Sequence, residues 1–211
     1  KDNSWERSFM IALCSSFKEA LICVDIDGKQ DFCTLPANCK HSENVLPCVD
    51  KCLQNIGKNI NDNDCFAVVV GPGSFTGIRI GISLVKGFIA GNDKFKILPI
   101  TSFELIAYNY IKNNIIDKDF YCAIDALSTR VFICKFDKDG KQIDSEKMIS
   151  KEEYDKIKEL TVGVVEENIA KERITLSPQL LLELARRKER ENCYVDVNEL
   201  VPMYMRKSQA E

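Results

Sequence analysis

The residues best placed to do chemistry lie in one stretch, Gly71-Pro72-Gly73-Ser74-Phe75-Thr76-Gly77-Ile78-Arg79-Ile80-Gly81. The apolar, β-branched run before it, Phe66 to Val70, reads as a strand buried on both faces, and after the Gly71-Pro72-Gly73 turn the period becomes that of a helix. Ser74 is an N-cap candidate and the turn glycines can take positive φ, so backbone N–H groups would point out of the helix N-terminus. Such an end can hold an anion. The spacing nevertheless fits no common phosphate or nucleophile motif. A dinucleotide fingerprint needs glycine at Thr76, a Walker loop needs Gly-Lys-Ser/Thr at Gly77-Ile78-Arg79, and a nucleophile elbow needs glycines two residues either side of Ser74.

The helix after the turn contains Gly77, Gly81 and Gly87, each costing about 1 kcal/mol relative to alanine. Gly77 and Gly81 are one turn apart and leave a smooth strip that packs either against the chain's own sheet or against a partner. The single histidine, His41, stands just before a predicted helix; no nucleophile or carboxylate is placed to work with it, so a local hydrogen-bonding or packing role is expected. One histidine cannot supply a pair of metal ligands, and no metal site is expected. Ten cysteines are present, none in a C-x-x-C pair, and most lie in apolar runs such as Leu21-Ile-Cys-Val and Val131-Phe-Ile-Cys134. With no secretory signal in view, free thiols in a reducing compartment are expected.

The elements that must position these residues follow from pattern. Phe9–Leu13, Ala20–Ile26 and Asp31–Leu35 read as an antiparallel meander, with Asp27-Gly28 as the tight turn between the last two. A helix over 42–56 follows, with Ser42 as cap, Val45, Val49, Leu53 and Ile56 at helical spacing, and Pro47 near its first turn. Beyond the central strand, turn and helix, Phe95–Ile100 is a strand, and Thr101 with Glu104 forms a capping box for a helix through Ile111. A second set of strands starts at Phe120–Ile124 and continues with Val131–Phe136 and Gln142–Met148. Ser150 and Glu153 cap a short helix, Thr161–Val165 is a strand, and Ser177-Pro178 opens a last helix. Its cations Arg186, Arg187, Lys188 and Arg190 are read as a solvated face. The second half repeats the first in outline, with fewer helices.

Composition bounds the function classes. Hydrophobic residues at 45% and charged residues at 29% describe a globular chain long enough for one large domain or two small ones. No apolar run reaches the roughly 18 residues that span a bilayer, and no membrane association is expected. A net charge of -3 argues against binding nucleic acid alone, because neutralising phosphates takes a basic face. Any RNA contact is expected to be shared with a partner.

The signature Gly71-Pro-Gly-Ser-Phe-Thr-Gly-Ile-Arg-Ile-Gly81, with Lys86-Gly87 five residues on, resembles that of the TsaB (YeaZ) family. His41–Pro47, Pro99–Ala107, Ala123–Ala126 and Pro202–Arg206 are similar to further family segments. The resemblance implies an α/β fold of the actin-like, Hsp70-like, sugar-kinase-like (ASKHA, ribonuclease H-like) type. It would have an N-terminal subdomain over 1–112 and a reduced second one over 113–211, whose last helix or tail returns to the first. Nucleotide-binding members of this fold end the first strand in Asp; here Cys14-Ser15 stand there, and Leu127 replaces the family's basic residue after Asp125-Ala126. A thiol is a poor substitute for a hard oxygen ligand of Mg²⁺. The histidines that hold a metal in the related TsaD proteins are also missing between Ile100 and Ile106.

What the resemblance implies is a noncatalytic subunit that dimerises with a TsaD-like protein and admits a TsaE-like ATPase. Together they would support threonylcarbamoylation of the adenosine beside the anticodon in tRNAs reading codons that begin with A. ATP would enter only at the level of the complex, and tRNA only through it. The family's partner surface would be made here by Val45, Val49, Cys52, Gly77, Arg79, Gly81, Val85 and Lys86, so that Gly81→Leu is expected to leave the monomer folded and block pairing. Gly71, Gly73, Ser74, Thr76 and Asp125 would form a vestigial phosphate-loop-like site. The alternatives are an actin-like ATPase or phosphotransferase using that turn and Asp125, or a self-sufficient homodimer. The implied location is the cytoplasm or an organelle of bacterial descent.

Overall fold

The computed structural model describes residues 9–91, 94–126, 129–165 and 169–205. The first sheet is built from β1 (Met10–Cys14), β2 (Ala20–Ile26), β3 (Lys29–Leu35), β4 (Cys65–Gly71) and β5 (Lys96–Thr101), in the order β3-β2-β1-β4-β5. The second uses β6 (Phe120–Asp125), β7 (Arg130–Phe136), β8 (Lys147–Ser150), β9 (Thr161–Val164) and β10 (Glu172–Ile174), in the order β10-β9-β6-β7-β8. Read from its third strand, each sheet has the same order. In both, three antiparallel strands are followed by two strands parallel to the first. The β2–β3 turn has positive φ at Asp27 (55°) and Gly28 (72°), the primed geometry whose twist matches a two-residue hairpin.

Among the described residues there are five α-helices: α1 (His41–Ile56), α2 (Phe75–Ile89), α3 (Ser102–Asn113), α4 (Lys151–Asp155) and α5 (Pro178–Arg190). Side chains of buried strands alternate between two apolar clusters, as the two-residue period requires. Met10, Ala12, Cys14, Cys65, Ala67 and Val69 face the central cluster with α3, α5 and the second sheet. Ile11, Leu13, Phe66, Val68 and Val70 face α1 and α2 on the other side. The layers therefore run from α1 and α2 through the first sheet, α3 and α5, and the second sheet, to α4 with its buried Tyr154. The second half is reduced where α2 would stand: residues 72–95 join β4 to β5, and only 165–171 join β9 to β10.

Several local expectations hold. Thr101 with Glu104, Ser150 with Glu153, and Ser177 all cap their helices as read from sequence. Four others need correction. The N-cap of α1 is Lys40, which makes no side-chain cap bond, rather than Ser42, and Pro47 lies in the second turn, where the helix continues past it on its exposed side. The region 142–148 gives one bridge, Gln142 to Phe136, and the strand itself is Lys147–Ser150. Cys33 on β3 and Cys48 on α1 form a disulfide, contrary to the expectation of free thiols throughout.

The last correction concerns the cations of α5. Arg186 pairs with Asp25 on β2 at 2.7 Å and with Glu189 at 2.9 Å, and Lys188 reaches Glu104 of α3 at 2.6 Å. Asp25 is buried, and a carboxylate removed from water needs such a partner. Arg186 and Lys188 therefore fasten α5 to the first sheet and to α3, whereas Arg187, paired with Glu191 at 3.0 Å, and Arg190 stay exposed as the reading of a solvated face expects.

Candidate functional site: the turn after β4, the cleft and the α1–α2 face

Between the two halves lies a cleft of about 920 Å³, bordered by the β1–β2 turn, the entry to α1, the turn after β4, the end of β6 and residues 203–205. Asp125 ends β6 on one wall and Cys14 ends β1 beneath the other, so the two halves differ at their matching strand ends. Burial pushes the Cys14 thiol up to about 11, partly offset by its contact with Ser16. It is a neutral thiol, not the carboxylate that the resemblance implies for nucleotide-binding members of the fold.

The turn itself is filled from within. Ser74 caps α2 as expected, its Oγ accepting the Gly77 N–H at 3.2 Å. Its own N–H donates to the Ser16 carbonyl at 2.8 Å, and Ser15 Oγ donates to the Gly77 carbonyl at 2.7 Å. Below them Ser102 Oγ, at the start of α3, donates to Ser16 Oγ at 3.1 Å. The carbonyl of Ser16 thus sits where an anion would have to accept from the helix terminus. Gly71, Gly73 and Thr76 border this arrangement without adding a charge. At Gly73 and Gly77 a Cβ would come well under 3.0 Å from the carbonyls of Ser16 and Ser15, respectively, so both glycines are needed for that close approach.

This geometry corrects the reading of the Gly77/Gly81 strip as open to a partner. A Cβ at Gly81 would meet Ser15 Oγ at 2.9 Å and Val68 Cγ2 at 3.2 Å, so the strip is closed by the β1–β2 turn and β4, and Gly81→Leu would strain the monomer. Val45, Val49, Cys52 and Val85 are also buried in the cluster between the helices and the first sheet. Only Arg79 and Lys86 of the predicted interface set reach the surface. Arg79 is engaged: its Nε donates to Tyr204 Oη at 2.7 Å and its guanidinium lies 3.8 Å from the Phe75 ring centroid. The segment carrying Tyr204 is itself held by Met203 N–H donating to Val70 O at 2.8 Å. No sequence pattern pointed to this contact, because it joins residues 125 apart in the chain.

What α2 presents outward is largely apolar, and α1 adds Leu46 and Pro47 among exposed polar residues such as Glu43, Asp50, Lys51 and Gln54. Phe75 is 55% exposed and Leu46 42% exposed, while Ile80, Leu84 and Phe88 are half-buried. Arg79 and Lys86 are the only charged residues of α2. His41 lines the cleft with Ser74, but its Nε2 lies 3.1 Å from the Lys18 carbonyl and Ser74 Oγ is occupied by Gly77; this is the local role expected for it. Leu127 and Arg206, singled out from sequence, lie outside the described residues.

Two sheets of identical strand order, with helices packed between them and a cleft at their matching strand ends, define an actin-like (ASKHA) fold. A family model described as "TsaD: tRNA N6-adenosine threonylcarbamoyltransferase" matches residues 35–207. The chain belongs to that family and, within it, to the TsaB (YeaZ) group. It is 31% identical over 98 residues to the tRNA threonylcarbamoyladenosine biosynthesis protein TsaB of Haemophilus influenzae, covering 46% of this chain and 41% of that one. The match to the Escherichia coli protein of the same name is 29% over 100 residues, 47% and 42% of the two chains. The matched segment thus spans about two-fifths of these relatives' length. Among solved structures, one described as an uncharacterized protein with similarity to peptidase YeaZ from Pseudomonas aeruginosa superposes with a TM-score of 0.78. The identity is 22%, covering 94% of this chain and all of that one, and the likeness supports the fold.

Proposed function

We propose that this chain is a noncatalytic partner subunit in threonylcarbamoyladenosine modification of tRNA. In this reading it pairs with a TsaD-like catalytic protein through the outer faces of α1 and α2, and a TsaE-like ATPase joins that pair. Family membership supports the pathway, and the observation that carries the role is the state of the turn after β4. Its outward Ser74 N–H is bonded to Ser16 O, and the strand end beside it offers Cys14 in place of a carboxylate. A phosphotransferase would need those groups for its substrate's phosphates.

Pairing is supported by the outer helix face. A surface helix ordinarily turns a polar side to water. α2 instead offers Phe75, Ile80, Leu84 and Phe88, interrupted by small residues such as Thr76, Ser83 and Gly87. With Leu46 of α1, these are groups whose burial against a second protein would drive association. Exposed Leu46 and half-buried Leu84 therefore replace the buried valines as the contact residues. The test is calorimetric titration of a TsaD-like protein from the same source into this chain. Leu46→Asp should weaken binding by about tenfold or more while leaving the thermal midpoint in place; undiminished affinity in that variant would refute the assignment of this face.

A further inference from the structure

The Cys33–Cys48 bond ties β3, an edge strand, to the second turn of α1. That part of α1 is the least secured by its own backbone. Its N-cap Lys40 makes no side-chain cap bond to the helix backbone, its Nζ donating instead to exposed Glu43 at 3.0 Å, and Pro47, directly before Cys48, has no N–H to give to the turn before it. Besides the disulfide, this end has Val45 and Val49 in the cluster beneath it, His41 at the Lys18 carbonyl, and local bonds confined to its first turn, where Lys40 O accepts from Asn44 and Lys40 Nζ donates to Glu43. The two residues also differ in exposure: Cys33 is half-buried, whereas Cys48 is 6% exposed.

We propose that Cys33–Cys48 is an exchangeable cystine, a redox-modification site whose opening loosens the first half of α1. Its reaction partner is a dithiol of the oxidoreductase class, and attack falls on Cys33. In reduction, a thiolate of the dithiol attacks Cys33 Sγ and forms a mixed disulfide, and Cys48 leaves as a thiolate that takes a proton. The second thiol of the reductant then attacks its own neighbouring sulfur, releasing Cys33 as a thiol and leaving the reductant as its disulfide. Two electrons and two protons pass to the chain; oxidation by a disulfide of the same class reverses each step.

The six buried cysteines do not compete for this exchange. Burial pushes Cys14 up to about 11 and Cys52, Cys65 and Cys134 up to about 12, and raises Cys23 and Cys122 well above their ordinary value. Because α1 carries part of the face proposed above for the TsaD-like protein, the consequence for pairing rests on that reading. The cystine itself does not.

The experiment takes the intact chain through a graded series of oxidised and reduced dithiothreitol. Bond occupancy is read by differential alkylation and mass spectrometry, and backbone order by hydrogen–deuterium exchange. The bond should open while the fold persists, with amide exchange over residues 41–50 rising about tenfold or more and that of β4 unchanged. Monothiol glutathione should be trapped on Cys33 and not on Cys48. Free thiols at both positions under every oxidising ratio, or unchanged exchange over 41–50 upon reduction, would overturn the proposal. Cys33→Ser separates the reagent's effects from the bond's, because its exchange should be fast with or without dithiothreitol. If the TsaD-like protein binds neither form, the partner reading fails while the cystine result stands; equal binding to both forms removes only the regulatory consequence.

Discussion

Gly77→Ala places one methyl group where the β1–β2 turn passes closest to α2. The added carbon would fall well under 3.0 Å from the Ser15 carbonyl oxygen and at 3.0 Å from its carbon, so backbone has to move. Inserting a methyl into a packed site costs about 1–3 kcal/mol, and a rigid neighbour places this case at about 3. Alanine's better helix propensity returns about 1 kcal/mol, leaving a net loss of about 2. In a chain of this size each kcal/mol shifts the thermal midpoint by about 2–4 °C, so Gly77→Ala should melt about 4–8 °C lower. Gly87→Ala is the control on the same helix: a Cβ there meets nothing within 4 Å, and the propensity gain should raise the midpoint by up to about 2–4 °C. Differential scanning calorimetry of the three proteins reads both shifts. A midpoint for Gly77→Ala at or above the parent's would refute the claim that the glycine strip is closed by the chain itself.

Other substitutions and conditions probe the same structure. Ser74→Ala removes the cap bond to Gly77 and should cost about 1 kcal/mol in chemical denaturation, with no other helix affected. Tyr204→Phe keeps the ring beside Phe75 but deletes the hydroxyl that accepts from Arg79 Nε. Amide exchange at Met203 and Tyr204 should rise while the midpoint changes by less than about 1 kcal/mol equivalent. Six buried thiols have folded values raised above their ordinary 9.0. Such groups bind protons more tightly when folded, so their contribution to stability is complete below about pH 9 and is lost as pH rises beyond it. Urea titrations at pH 8 and 10 should show this fall, and iodoacetamide at pH 8 should label Cys39 and Cys193 ahead of these six.

Much of this fold was legible because local signals agreed with one another. The continuous apolar runs of β1 and β4, the Asp27-Gly28 turn and the capping boxes at Thr101 and Ser150 each follow from short-range chemistry. The site was less legible because its decisive contacts are long-range. Gly77 and Gly81 show in sequence only that something approaches closely; that the approaching group is Ser15 depends on β1 and β4 lying side by side. Val45 and Val49 have the spacing of an interface but also that of a core, and periodicity cannot separate the two. Arg186 and Lys188 of α5 were read as solvated with their neighbours because their partners Asp25 and Glu104 come from the other half of the chain. Nor does cysteine spacing determine pairing, so the Cys33–Cys48 bond emerged only when β3 was placed beside α1.

The most direct measurement of the central claim is size-exclusion chromatography with light scattering on this chain, alone and mixed with a TsaD-like protein from the same source, with and without ATP. The account predicts a one-to-one complex that forms without ATP, and no ATP hydrolysis by this chain alone. Absence of any complex, together with ATP turnover by the isolated chain, would contradict it.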